Sequence, residues 1–162
     1  MKCLCFSDSH GQVRNIMSAL SMHPDAEVVF FLGDGLADIA ELAGRRSEVH
    51  WLAVRGNCDP SLLYYQDYPK TDSITLSGKK IIFTHGDLYG VKWGDDGLIR
   101  LCEECGADIV LYGHTHIPRE NYIELPSGCN AYLFNPGSIG EGAYGLINIT
   151  DGGVLLSHGY ID

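Results

Sequence analysis

The chain has 162 residues, about one domain at ~150 residues per domain, and enough to bury a core without disulfide staples. Its composition, 45% hydrophobic and 20% charged, excludes extensive disorder, which needs fewer aliphatic residues and more charge. The excess of 21 acidic over 11 basic residues gives a net charge of −10, a field that repels phosphate backbones and anionic lipid and so disfavours a general nucleic-acid or membrane-surface binder.

Residues 2–6 form a short apolar run that reads as a strand. The polar cluster Ser7-Asp8-Ser9-His10 follows too soon for a secretory signal, so a cytoplasmic location is expected. No later apolar run approaches the ~20 residues of a membrane-spanning helix. Helical periodicity covers 13–22, a strand 28–32, and a second helix 36–44, ending at Gly44 as a C-cap. A strand at 51–54 leads into 60–72, a Tyr-rich stretch without period that reads as a loop able to overhang a site. Strands at 80–83 and 109–112 flank a helix at 96–105. This alternation predicts βα units around a largely parallel sheet. After Pro118, short strands at 119–124, 131–134, 144–149 and 154–158, separated by Gly, Pro, Asn and Asp, predict an antiparallel meander. The expected fold is mixed α/β, two packed sheets with helices outside, in one domain spanning 1–162.

The six cysteines are expected to stay reduced. Cys3 and Cys5 alternate on the first strand. Cys102 and Cys105 spell CxxC on a helix, but a zinc ribbon needs a second such pair, so ordinary packing is the expected role.

Five polar clusters carry the chemistry: Asp8-Ser9-His10, Gly33-Asp34, Gly56-Asn57-Cys58-Asp59, Thr84-His85-Gly86-Asp87 and Gly113-His114-Thr115-His116. Each follows an apolar strand at intervals of 26, 23, 28 and 29 residues. Parallel strands end along one edge, where such folds bind ligands, so the clusters are expected to meet. Asp8 with His10, and His114 with His116, stand at i and i+2, and an extended backbone would aim both members of each pair to one side. The candidate ligands Asp8, His10, Asp34, Asn57, His85, His114 and His116 are a mixed N/O set suited to Mn, Fe, Zn, Ni or Co. Seven are too many for one tetrahedral ion and suit two ions sharing a carboxylate, with Asp34 as the bridging candidate.

Each residue has a plainer alternative. Asp8 could cap the helix near Val13, Asn57 could be a left-handed turn residue, and His85 a satisfied structural histidine. His23, His50 and His158 fit no cluster and are assigned to surface or packing. Asp38 and Asp59 could orient ligands or serve as caps. Arg14 and Arg119 could reach a substrate or be simply solvated. Cys58 lies at the mouth of the site.

Taken together, the five clusters resemble the calcineurin-like metallophosphoesterases, and within them the small stand-alone YfcE-type phosphodiesterases. The resemblance spans nearly the whole chain and includes the turn Asn135-Pro136-Gly137-Ser138. It implies a four-layer fold of two central sheets flanked by helices. It also implies one metal on Asp8, His10, Asp34 and His116, and a second on Asp34, Asn57, His85 and His114. The implied activity is hydrolysis of a small or aryl phosphodiester, with a metal-bridging hydroxide attacking phosphorus in line. Asp34, Asn57 and His114 are the catalytic candidates, and Cys58, Asp59 and Arg14 are substrate-side candidates. Two divalent ions are expected, Mn²⁺ first, with Ni²⁺, Fe²⁺, Co²⁺ or Zn²⁺ as alternatives. Many members carry His where this chain has Cys58, and that His is regarded as assisting the leaving group. The competing readings are a protein-binding scaffold with a vestigial metal site, as in the retromer subunit of this architecture, and a nuclease, which the short acidic chain disfavours. The expected partner is a small-molecule phosphodiester rather than nucleic acid or membrane, with homo-oligomerisation left open.

Overall fold

The structure is a computed structural model that describes residues 1–45, 48–60 and 67–162. Two five-stranded sheets lie at its centre. The first contains β1 (Lys2–Phe6), β2 (Val28–Phe31), β3 (His50–Ala53), β9 (Ala143–Thr150) and β10 (Gly153–Tyr160), in the order β10-β9-β1-β2-β3. The second contains β4 (Thr71–Leu76), β5 (Lys79–Thr84), β6 (Ile109–Leu111), β7 (Arg119–Glu124) and β8 (Asn130–Asn135), in the order β4-β5-β6-β8-β7. Helices α1 (Val13–Met22) and α2 (Leu36–Arg45) pack on the first sheet and α3 (Asp96–Cys105) on the second.

The four layers follow from the two-residue period of strands whose faces are both buried. On β1, Cys3 and Cys5 face the space between the sheets, while Leu4 and Phe6 face α1 and α2. On β2, Val28 and Phe30 point inward and Val29 and Phe31 outward. The second sheet mirrors this, with Ile81, Phe83, Ile109 and Leu111 inward and Ile82 and Val110 against Leu98 and Cys102 of α3. Phe30 and Phe83 meet edge to face across the gap, ring centroids 5.3 Å apart, a geometry that contributes ~0.5–1.5 kcal/mol beyond the area it buries.

The strands after Pro118 do not form one meander. Strands β7 and β8 make an antiparallel pair that joins the second sheet, with β8 parallel to β6, whereas β9 and β10 pair antiparallel and join the first sheet beside β1. Each sheet is therefore mixed rather than largely parallel, because each hairpin caps a different parallel core. Strand β4 was not expected from the sequence: its residues are mostly exposed or half-buried, as suits a polar edge strand with one side unpaired. Residues 71–72 of the expected 60–72 loop belong to β4, and 61–66 lie outside the described residues. The two-residue turn after β4 has positive φ at both Ser77 (47°) and Gly78 (76°), as the twist of a tight hairpin demands. Gly44 lies inside the last turn of α2 instead of capping it. No described helix is long and apolar enough to cross a membrane.

All six cysteines are free. Burial pushes the Cys3 thiol up to about 12 and the Cys102 thiol up to about 11, so both are inert packing groups. Thiol titration of protein denatured without reductant should return six thiols per chain, with no change in melting temperature on adding reductant. Recovery of fewer after anaerobic purification would contradict a disulfide-free core.

Candidate metal centre

The five clusters begin at the C-terminal ends of β1, β2, β3, β5 and β6, and the turn after β8 joins them. They gather along one rim shared by both sheets, not along the edge of one. Within each sheet, backbone hydrogen bonds fasten neighbouring loops: Asp8 N–H to Gly33 O at 3.0 Å, and Gly113 N–H to His85 O at 2.9 Å. Between sheets, His85 Nδ1 donates to Leu32 O at 2.7 Å, and His114 N–H donates to Asp8 Oδ2 at 3.1 Å. Ser138 Oγ and Gly140 N–H both donate to Asp8 O, at 2.8 and 3.1 Å.

Of the i, i+2 pairs, Asp8 and His10 aim at one common point, whereas His114 and His116 part, His116 toward Asp8 and His114 toward Asp34 and His85, and neither pair has extended backbone. Asp8, His10, Asp34, His114 and His116 all have φ between 45° and 68°. Left-handed geometry costs a non-glycine residue ~1–3 kcal/mol. Five such residues in one site persist because the hydrogen bonds above over-determine the loops. The loops also come so close that a Cβ on Gly33 would strike the backbone of Gly56, and one on Gly56 would strike Asp34. Glycine is required at both positions.

Two clusters of donor atoms result, each with its atoms within 4.8 Å of one another. In one, His116 Nε2 is 3.1 Å and His10 Nε2 3.8 Å from Asp8 Oδ1, and the two nitrogens are 3.4 Å apart. In the other, His85 Nε2 is 3.2 Å from Asp34 Oδ2, 3.2 Å from His114 Nδ1 and 3.0 Å from Asn57 Oδ1. His85 Nε2 also stands 4.0 Å from Asp8 Oδ1, which links the clusters.

Asp8 shows whether a cation fits. Its side chain is fully buried, and Oδ2 accepts from Ser7 Oγ and His114 N–H. Oδ1 is buried without a hydrogen-bond donor, although it faces three imidazole nitrogens. Burying an ionised carboxylate costs several kcal/mol unless it is compensated. With the Nδ1 proton of His85 committed to Leu32, its Nε2 presents a lone pair to other acceptors. A divalent cation satisfies all these groups at once, and the mixed imidazole, carboxylate and amide set suits a borderline first-row metal.

Electrostatics agree. Burial alone would raise the Asp34 carboxyl, but the His85 imidazole in its protonated form and the Cys58 N–H at 2.7 Å outweigh it and hold the group well below the usual carboxylate range, and a cation bound at Nε2 would act in place of that proton. Burial, aided by His85 and Lys92, lowers the His114 imidazole. The carboxylate of Asp34 raises the Cys58 thiol, with burial adding to it.

Surrounding groups hold these side chains in place. Asp59 does not face outward as a substrate-side group: its carboxylate accepts from the N–H groups of Asp34, Gly35, Leu36 and Gly56 at 2.8–2.9 Å. It thereby ties the Asp34 loop, the start of α2 and the Asn57 loop together. Asp38 Oδ2 accepts from Ser9 Oγ at 2.6 Å and Gly11 N–H at 2.8 Å, which steadies the His10 loop. Asp8 does not cap α1, whose N-cap is Gln12. Arg14 is exposed on α1. Arg119 is committed to a bidentate pair with Asp95, both contacts 2.8 Å. Cys58 is exposed, and its Sγ accepts from Asn57 Nδ2 at 3.2 Å, turning the amide oxygen toward His85. His23 bonds Tyr144 Oη at 3.0 Å, and His158 bonds Asn135 O at 2.8 Å while stacking on Phe134. His50 is exposed on β3.

Two contributors, Glu141 and Lys70, went unread in the sequence, and a third, Asn135, was read only as part of a turn. Glu141 Oε1 lies 3.1 Å from His116 Nδ1, a carboxylate–imidazole pair that leaves Nε2 free toward Asp8. Asn135 Nδ2 donates to Gly113 O at 2.9 Å and Thr115 Oγ1 at 3.0 Å, bracing the two-histidine loop. Lys70 Nζ donates to Gly56 O at 2.9 Å and Asp87 Oδ2 at 3.3 Å, joining the Asn57 and His85 loops. Only the Asn135 turn had a local signal.

The chain is similar along its length to known proteins. The calcineurin-like phosphoesterase superfamily domain matches residues 1–151. The probable metallophosphoesterase YsnB of Bacillus subtilis is 30% identical over 141 residues, 86% of this chain and 75% of that protein. The phosphodiesterase YfcE of Escherichia coli is 30% identical, covering 100% of this chain and 88% of that protein. Among solved structures, a predicted phosphoesterase of Streptococcus pneumoniae matches with a TM-score of 0.80 at 26% identity, over 98% of this chain and 88% of that one. A single mutant of Vps29 from Entamoeba histolytica shares the fold, with a TM-score of 0.72 at 21% identity over 100% of both chains. By sequence and by fold, the chain belongs to the calcineurin-like phosphoesterase superfamily.

Proposed function

We propose that this protein, read as one domain, is a metal-dependent phosphodiesterase acting on small or aryl phosphodiesters. The observation that carries the reading is the buried, donor-less Oδ1 of Asp8 facing the imidazoles of His10, His85 and His116. Asp8, His10, Asp34 and His116 would hold one divalent ion, and Asp34, Asn57, His85 and His114 the second, with Mn²⁺ the first choice. Bound there, such ions supply Lewis-acid polarisation of phosphate oxygens and acidify water near neutral pH.

The chain itself supplies orientation and a defined protonation pattern. Leu32 O keeps the proton of His85 on Nδ1, and Glu141 does the same for His116, so both Nε2 atoms face the basin as lone pairs. The Cys58 N–H holds Asp34 in place, and Cys58 Sγ turns the amide of Asn57. At an acidic surface of net charge −10, an anionic substrate is drawn by the bound cations rather than by a basic patch. A protein-binding scaffold on the same fold is the second reading, favoured by the full-length fold match to Vps29. The convergence of all seven donors favours the enzyme.

Purified protein should bind two divalent ions per chain, lose activity in EDTA and regain it best with Mn²⁺ or Ni²⁺. At most one tightly held ion, with activity unaffected by chelator, would overturn the dinuclear reading. Asp34→Asn should weaken both sites together, read as metal stoichiometry by calorimetry. Loss of one ion alone would make Asp34 a ligand of a single site.

Cys58 predicts the choice of leaving group. A thiol, with a reference pKa near 8.5 and no positive charge when protonated, assists a departing oxygen less well than an imidazole near 6.5. Aryl diesters, whose leaving groups need no proton, should be cleaved readily and alkyl monoesters slowly. Cys58→His should raise rates most on poor leaving groups, within the ~10²–10⁴-fold range of general-acid help. Cys58→Ala should cost little on an aryl diester; a hundredfold loss at unchanged metal content would make Cys58 a catalytic residue.

A further inference from the structure

The loops that carry His85, His114 and His116 also build a second feature that the hydrolytic chemistry leaves unused. A cleft of about 340 Å³ is lined by Val91, Lys92, Tyr112, Thr115, Ile117 and Arg119. It adjoins the candidate metal centre through the chain itself. Thr115 stands between His114 and His116, Ile117 follows His116, and the side chain of Val91 packs over Gly86, the residue after His85.

The lining selects a type of occupant. Tyr112 is nearly fully buried and Val91 buried, while Ile117 remains 66% exposed, an apolar group left at the mouth. The charge of Arg119 is neutralised by its bidentate pair with Asp95, to which Asn121 Nδ2 adds a contact at 3.2 Å. A guanidinium fixed this way presents a flat face suited to stacking. The Thr115 hydroxyl is already occupied by Asn135 Nδ2 and Ile117 N–H. Lys92 is exposed and forms no ion pair with a described residue.

We propose that this cleft binds a planar aromatic substituent of the phosphoester, and that Lys92 at its rim favours substituents carrying an anionic group. Val91, Tyr112 and Ile117 provide apolar contact, Arg119 a stacking surface, and Lys92 a compact cation. The volume falls at the low end of small-molecule pockets of ~300–1,000 Å³, room for a ring system or a nucleoside-sized group but not a polymer. Catalysis requires no residue of this cleft; the inference deepens the phosphodiesterase reading and rests on it.

The test uses three non-hydrolysed probes on Mn²⁺-loaded full-length protein: methylphosphonate, phenylphosphonate and 4-carboxyphenylphosphonate. Affinities come from calorimetry, and the location of binding from the methyl NMR signals of Val91 and Ile117 in diamagnetic Mg²⁺- or Zn²⁺-loaded protein. Phenylphosphonate should bind at least tenfold more tightly than methylphosphonate and shift both methyl signals, and the carboxyl group should add a further severalfold gain. Ile117→Asp, at a position exposed enough to spare the fold, should erase the phenyl preference while leaving methylphosphonate affinity within twofold. Lys92→Met should erase only the carboxyl gain. Equal affinity for the methyl and phenyl probes, with unshifted methyl signals, would overturn the cleft proposal and leave the phosphodiesterase reading intact. If no probe binds and no phosphodiester is hydrolysed, both readings fall.

Discussion

The buried carboxylate of Asp8 sets the terms for the rest of this structure. It sits at zero exposure, one oxygen held by Ser7 and the His114 amide and the other facing imidazole nitrogens without a hydrogen bond. A low-dielectric interior tolerates such a group only when positive charge is near. The lone-pair atoms of Asp34, Asn57, His85 and His114 crowd the same region at 3.0–3.2 Å, so the compensation is shared. Protons can satisfy a few of these contacts in turn; divalent cations satisfy them together. The functional reading rests on that difference.

Two sheets, not one, make the convergence possible. The parallel cores β1-β2-β3 and β5-β6-β8 each present strand ends to a common rim, and the apolar layer containing Phe30 and Phe83 sets their separation. The hydrogen bond from His85 to Leu32 O crosses between them and fixes the His85 tautomer as it does so. Left-handed backbone at Asp8, His10, Asp34, His114 and His116 turns the side chains inward. Asp59, Asp38, Asn135 and Ser138 hold those strained loops through backbone groups, so a second ring of polar residues stabilises what the first could not hold alone.

Specificity belongs to a different part of the same loops. The Cys58 thiol occupies a position at the mouth where a histidine would favour poor leaving groups, while the cleft along Val91, Tyr112 and Ile117 offers apolar contact beside the donors. On the proposed reading, both features would favour an aromatic ester. Because the chain is acidic overall, Lys92 is a local exception to the field rather than part of a basic surface.

Strand and helix identity was legible because it depends on local period: Leu4 against Cys5 and Val29 against Phe30 alternate between two apolar environments, and a polar cluster marks each strand end. The seven candidate donor residues could be listed for the same reason, since only their type and spacing were needed, and the structure brings them together. What the sequence could not encode locally was partnership. Strand β4 is polar because its edge faces solvent, so it lacks the apolar signal that betrays a buried strand. The hairpins β7-β8 and β9-β10 look alike in sequence, yet join different sheets, because the choice depends on which edge remains open beside β1 or β6. Glu141 reaches His116, and Lys70 joins Gly56 to Asp87, across separations that no periodicity spans. Residue type and local period therefore determined the layers and the inventory of donors. Long-range packing alone decided the left-handed geometry of the ligand loops, the tautomers of His85 and His116 and the walls of the cleft, because each depends on atoms brought together only when the two sheets close.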